Sequence, residues 1–160
     1  MWWRSRAVLI GWWLGPLLWV LAGCTSVVPP ALRGEVDRGL TYPQLAQDPD
    51  SHRGRLVLLG GEVLRVDFAG RDLELTLAER PLSAMDESPM LGLASRGDVV
   101  VQVPGGARAA LREGNVVSVV GVVLGRETAG DPASAPRLEA RHIYVWPVGQ
   151  LQPYAAEPPW

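Results

Sequence analysis

A single cysteine, Cys24, closes an uncharged apolar run, and this junction decides which residues are available to fold. Ala7 to Val20 carries no charge, Arg4 and Arg6 precede it, and the small residues Ala22 and Gly23 stand just before the cysteine. A charged head, an apolar middle and a small-residue end form the layout of an export signal that is cut away. A membrane span needs about 20 apolar residues; this run is shorter and is interrupted by Gly11, Gly15 and Pro16. Without residues 1–23 the chain keeps 137 of its 160 residues, enough for one domain with a real core.

The junction Leu21-Ala22-Gly23-Cys24 resembles the lipobox of bacterial lipoproteins, an aliphatic residue and two small residues before cysteine. The resemblance implies a thioether-linked diacylglycerol on Cys24, cleavage after Gly23, and acylation of the freed amine. The residue types suit that chemistry. A thiolate is the side-chain nucleophile fit for alkylation by a lipid donor, and small residues let a peptidase backbone approach. Thr25 occupies the position where an aspartate keeps many lipoproteins in the inner membrane, so the same resemblance implies the outer membrane. Acyl chains contributing about 0.8 kcal/mol per buried CH₂ make such an anchor permanent. With Cys24 lipidated no thiol remains, which excludes disulfides and cysteine-ligated metals from the mature chain.

The leader also distorts the composition. Five of the seven tryptophans (Trp2, Trp3, Trp12, Trp13, Trp19) belong to it, so the mature part is poor in aromatics and rich in valine and leucine. Without Arg4 and Arg6, 13 basic residues face 17 acidic ones, a net charge of −4. That balance, with few aromatics in the strands, argues against nucleic acid as a partner.

Residues 24–40 read as the lipidated cysteine and a flexible tether, with Pro29-Pro30 followed by mixed polar residues. The domain is expected over 41–147 and a Pro-rich tail over 148–160. Tyr42 to Gln47 reads as a helical turn with Thr41 as N-cap and Pro43 early in it, broken by Asp48-Pro49-Asp50. Leu56 to Phe68 alternates, with Leu56, Leu58, Leu64, Val66 and Phe68 expected on one face. Gly60-Gly61 in its middle predicts a bulge or a tight bend, and a bulge there would turn Glu62 to water. Ala69-Gly70 reads as a hairpin turn into a second strand through Leu73, Leu75 and Leu77. Val99 to Val103 is a third strand, Ala107 to Glu113 a short helix, and Val116 to Leu124 a fourth strand, apolar on both faces. Leu138 to Trp146 is the last, with Leu138, Ala140, His142, Tyr144 and Trp146 expected on one face. Pro81 to Gly97 is irregular, and Ser83 to Gly92 is expected to be mobile. The predicted architecture is mainly β: a small five-stranded OB-fold-like barrel with a short helix, after a cleaved signal segment and a tether.

An ordered set of residues resembles the Slp family of outer-membrane lipoproteins. It comprises the lipobox, Asp48-Pro49 with Gly54 beyond, Leu58-Leu59-Gly60-Gly61-Glu62-Val63, and Arg80-Pro81-Leu82. It continues with Gly114, with Val117 to Val123 around Gly121, and with His142-Ile143-Tyr144-Val145-Trp146. The chain departs from the family pattern twice: Pro104 to Gly114 stands where the family has a Gly-Phe-Leu-Asp-Pro-like stretch before the fourth strand, and the loop from Ser83 is short. The resemblance implies an envelope lipoprotein with its domain in the periplasm, and it implies no enzyme activity and no cofactor.

The residues themselves point the same way. His52 and His142 are the only histidines and show no metal-ligand spacing. Asp48, Asp50 and His52 lie close in sequence, as acid–base work would need, but a Pro-broken turn uses aspartates for local hydrogen bonds. Asp72 and Glu74 read as a wet strand face. Ser118 lacks a nucleophile elbow, and Gly60-Gly61 and Gly105-Gly106 lack a phosphate-loop lysine. The expected function is non-catalytic: anchoring through lipid on Cys24, with an interaction or structural role toward an envelope protein partner. The alternative is an OB-fold-like binder of a small ligand or oligosaccharide, for which Tyr144, Trp146 and Arg65 are the candidate cleft residues.

Overall fold

The computed structural model describes residues 26–105, 111–128 and 134–147. Five strands, β1 (Leu56–Ala69), β2 (Asp72–Glu79), β3 (Gly97–Val103), β4 (Val116–Arg126) and β5 (Pro136–Trp146), close into a barrel in the order β1-β2-β3-β5-β4. Neighbours are antiparallel except β3 and β5, which run parallel. This is the strand order of an OB-like barrel, here fully closed, so no strand edge is left open.

Closure depends on β1, which serves two partners. It pairs with β4 through Leu56 to Glu62 and with β2 through Gly61 to Ala69. The exchange falls at the glycine pair. A Cβ on Gly61 would enter the shell of the Ala78 carbonyl oxygen, and one on Gly60 would meet Leu82 Cδ2 at 2.6 Å and Pro89 Cγ at 2.9 Å. The two glycines are therefore a close-approach site where strand and loop backbones press together.

The expected bulge exists but lies further on, between Val63 and Arg65. This corrects the facing of the first strand. The inner side of β1 is Val57, Leu59, Gly61 and Val63, then Val66 after the bulge, in register with inner Leu75 and Leu77 of β2. Leu56 and Leu58 face outward, Leu64 stands 48 % exposed at the bulge, and Glu62 reaches water with no irregularity at its own position. Phe68 keeps the inner register opposite Leu73 but projects past the barrel end, 73 % exposed.

The last strand is corrected in the same way. The β4–β5 register shifts between Val120 and Gly121, which pair with His142 and Ala140 and leave Arg141 as the extra residue. Leu138 and Ala140 pack inward, then Ile143 and Val145 take over, and His142, Tyr144 and Trp146 turn to the outside. With Val99, Val101, Val103, Val117, Val119 and Val123 these side chains fill the barrel, each buried Val or Leu contributing about 1.5–3 kcal/mol.

One barrel end is plugged by α1 (Tyr42–Gln47). It starts as expected at Thr41, whose N–H and hydroxyl both donate to Gln44 Oε1 at 2.9 and 2.8 Å. Tyr42 and Leu45 pack into the core, and the Tyr42 hydroxyl donates to the Asp98 carbonyl at 3.1 Å. The helix expected over 107–113 falls largely on residues outside those described. Its described remainder, Leu111 to Glu113, is not helical, and the Arg112 N–H donates to Asn115 Oδ1 at 2.8 Å.

Candidate functional site

The outer faces of β1 and β4 are apolar at Leu56, Leu58, Val120 and Val122, and an apolar outer face needs a cover. The cover is the stretch expected to be a free tether. Val28, Val36 and Leu40 are buried, and Val28, Leu32 and Val36 pack with Leu56, Leu58, Val120 and Val122 in a second core outside the barrel. Val36 makes a parallel bridge with Leu56, and the Asp37 N–H donates to the Leu56 carbonyl at 2.8 Å. The strap folds on itself through Leu32 N–H to Pro29 O at 2.9 Å and Val36 N–H to Leu32 O at 3.1 Å. The Asp37 carboxylate accepts from the Gly39 N–H at 3.0 Å and pairs with Arg55. From residue 26 on, then, the segment is docked, because it buries surface the barrel cannot bury alone.

The strap begins in a clamp formed by Glu87. Its Oε2 accepts from the Ser26 hydroxyl at 2.8 Å and from the Val27 N–H at 2.9 Å, and its Oε1 pairs with Arg38 at 2.7 Å. Burial pushes the Glu87 carboxyl up, but the Arg38 and Ser26 hydrogen bonds, the Arg38 charge and the Val27 N–H outweigh it and hold the group below its ordinary value. Glu87 has φ +64°, a left-handed conformation that non-glycine residues seldom adopt. That twist sends the carboxylate toward the strap while the Glu87 carbonyl accepts from Ser118 Oγ at 2.8 Å.

The loop carrying Glu87 is not the mobile segment expected over Ser83 to Gly92. Leu82 bridges Pro89, the Ser83 N–H donates to Ser88 O at 2.8 Å, and the Arg80 guanidinium donates to the Leu93 carbonyl. Pro89 is buried against Gly60. Ser118 is the pin beneath it, accepting from Trp146 Nε1 at 2.9 Å as it donates to Glu87 O.

Under the loop's other flank lies a polar pair invisible to the alternation pattern. Glu79 is 1 % exposed, and Arg96 clasps it with Nε at 2.9 Å and Nη2 at 2.5 Å. Arg96 also lies over the Tyr42 ring, 5.8 Å from its centroid. Burial, then the Glu79 and Asp98 charges, push the Tyr42 phenol up to about 12. The signal for Glu79 was present: it continues the inner series Leu73, Leu75, Leu77.

The strap and barrel enclose two adjoining clefts of about 200 and 450 Å³ that share Asp37 and Leu40. Asp48 and His52 line the larger one, and His52 Nδ1 lies 3.3 Å from Arg55 Nη1. Asp50 takes another direction. Its Oδ1 accepts from Arg53 Nη2 at 2.5 Å, and its Oδ2 lies 3.3 Å from Arg126 Nε. The Arg53 hydrogen bond is the main cause holding this carboxyl below its ordinary value, and the Arg126 contacts add to it against burial. The three residues thus do not converge on one reacting position. Asp72 bonds Gln102 Nε2 at 2.9 Å, and Glu74 pairs with Arg137 at 2.6 Å, so the strand face is an ion-paired one.

Nor are the candidate ligand residues brought together. Trp146 is 8 % exposed and committed to Ser118, Tyr144 packs edge-on to it with centroids 4.8 Å apart, and Arg65 lies beyond the bulge paired with Asp67 at 3.2 Å. Among the described residues no group of three His, Cys, Asp or Glu could hold a metal ion, and no helix is long and apolar enough to cross a membrane. Gly23 and Cys24, the expected cleavage and lipidation positions, lie outside the described residues.

Comparison with known proteins completes the description. No curated protein matches the chain in a sequence search. Among solved structures, an OBody bound to hen egg-white lysozyme is similar at 18 % identity and a TM-score of 0.40, over 59 % of this chain and 84 % of that one. The family model of the outer membrane lipoprotein Slp family matches residues 21–160, strap and barrel included. The chain therefore belongs to the Slp family of outer membrane lipoproteins.

Proposed function

We propose that this lipoprotein carries its lipid on Cys24 after cleavage behind Gly23, faces the periplasm, and works without catalysis by presenting its barrel to an envelope protein. The observation that carries this reading is the Glu87 clamp. It grips Ser26 and Val27, so the folded chain starts, at the strap, within two residues of the proposed lipid. The engagement of the acid–base candidates in ion pairs and turns supports a non-catalytic role. Leu64 and Phe68, two of the exposed large apolar side chains, lie together on the β1–β2 hairpin and offer an apolar contact for a protein.

Metabolic palmitate labelling with membrane fractionation of the wild type and Cys24→Ala tests the anchor. Label and outer-membrane association should vanish together in the variant; a variant that still fractionates with membranes, beside an unlabelled wild type, refutes lipidation. A photo-crosslinking residue at Phe68 in intact cells tests the partner. A defined adduct at Phe68, absent at exposed Arg71, is expected, and no adduct from either position would refute the interaction role.

A further inference from the structure

Met85 is the most exposed large apolar side chain among the described residues, at 87 %. A lone exposed methionine needs no explanation, but its surroundings do. It sits in the clamp loop beside exposed Ala84, and the two half-buried carboxylates that follow it are both hydrogen-bonded. Asp86 Oδ1 accepts from the Ser88 N–H at 3.1 Å and hydroxyl at 2.7 Å, and Glu87 is consumed by Ser26, Val27 and Arg38. The loop therefore shows the apolar atoms of Ala84 and Met85 to the outside while both neighbouring carboxylates are held by hydrogen bonds.

Two peptide steps separate Ser26 from Cys24. At 3.8 Å per Cα step, the lipid-bearing residue lies at most about 8 Å from Ser26, and Ser26 is hydrogen-bonded to a residue two positions from Met85. A bilayer that takes the acyl chains must pass close to this loop. Cations gather at the same place: Arg38 pairs with Glu87, and Arg33 Nε donates to the Val28 carbonyl at 3.0 Å. Both are suited to anionic headgroups.

Resting on the lipidation of Cys24 proposed above, we infer that the clamp loop is a membrane-seating surface. The short leash presses Ala84 and Met85 into the headgroup region of the phospholipid leaflet holding the lipid, with Arg33 and Arg38 beside them, and so sets the orientation of the barrel. The β1–β2 hairpin, at the other end of β2, then points away from the membrane.

The test uses the full lipidated chain in vesicles of phosphatidylethanolamine and phosphatidylglycerol containing nitroxide-labelled acyl chains. Lipidated Cys24 has no free thiol, so Met85→Cys or Phe68→Cys supplies a single labelling site for a polar fluorophore. Both side chains are exposed, so neither substitution disturbs the core. Quenching at position 85 should exceed that at position 68 by at least about two-fold. Equal quenching, or none at position 85, while the protein floats with the vesicles, overturns the seating surface and leaves lipidation standing. A chain that fails to float shows that lipidation has failed, and the inference with it. Inserting about ten Gly/Ser residues between Thr25 and Ser26 lengthens the leash without touching the barrel. Quenching at position 85 should then fall to the level at position 68; undiminished quenching overturns the role of the leash.

Discussion

At the scale of single residues, a buried carboxylate, Glu79, and a half-buried one, Glu87, hold the loop and strap in place. Glu87 has a carboxyl held below its ordinary value of 4.5. Its contribution to folding is therefore complete above pH 4.5 and is lost as pH falls through the lowered value in the folded protein. Hydrogen exchange of Val28 to Leu40 should quicken over that acid range before the barrel opens, and Glu87→Gln should abolish the pH dependence of that exchange. Glu79 makes an asymmetric prediction. Removing Arg96 leaves a buried carboxylate without its partner, so Arg96→Ala should cost about 3 kcal/mol in urea unfolding, whereas Arg96→Ala combined with Glu79→Leu should recover most of it. A double variant as unstable as the single one would show that packing, and not the unpaired charge, carries the cost.

At the scale of elements, β1 and the strap explain each other. The strand is apolar on both sides because one side faces the barrel and the other faces Val28, Leu32 and Val36. Gly61→Ala should cost about 3 kcal/mol or more, because the new Cβ meets the backbone of β2, while Gly34→Ala in the strap, with nothing within 4 Å, should change stability by less than about 1 kcal/mol. Chemical denaturation of the two variants compares them directly. Val28→Ala and Val36→Ala should each cost about 1–2 kcal/mol and should loosen the strap first, read as earlier proteolytic cutting in residues 26–40. Uniform loosening of the whole domain would mean that strap and barrel unfold as one unit.

At the scale of the molecule, the described fold begins at Ser26, two residues from the proposed lipid. Both described cores are built from Val28 onward, so, with Cys24 lipidated as proposed, Cys24→Ala should move the protein out of the membrane fraction while its thermal midpoint stays within about 2 °C of the unlipidated wild-type domain. A large drop in the midpoint would show that residues before Ser26 also pack on the barrel.

Much of this was legible in the chain itself. Five strands near their true bounds, the Thr41 cap and the family were readable there, since period-two alternation and turn residues act over a few neighbours. The facing of β1 and β5 was not, because one inserted residue, at Leu64 or at Arg141, reverses every side chain beyond it and hydrogen-bond register is set by the partner strand. The docking of the strap was likewise hidden, although Val28, Leu32, Val36 and Leu40 recur at every fourth position. An apolar residue in a polar stretch means nothing until the surface it covers is known. The Glu87 clamp joins residues 60 positions apart through one carboxylate in a left-handed turn. Sequence by itself determined that this chain is a lipoprotein of this family with a small β-barrel; only the tertiary structure decided which faces are inside and that the stretch before the barrel covers its outside.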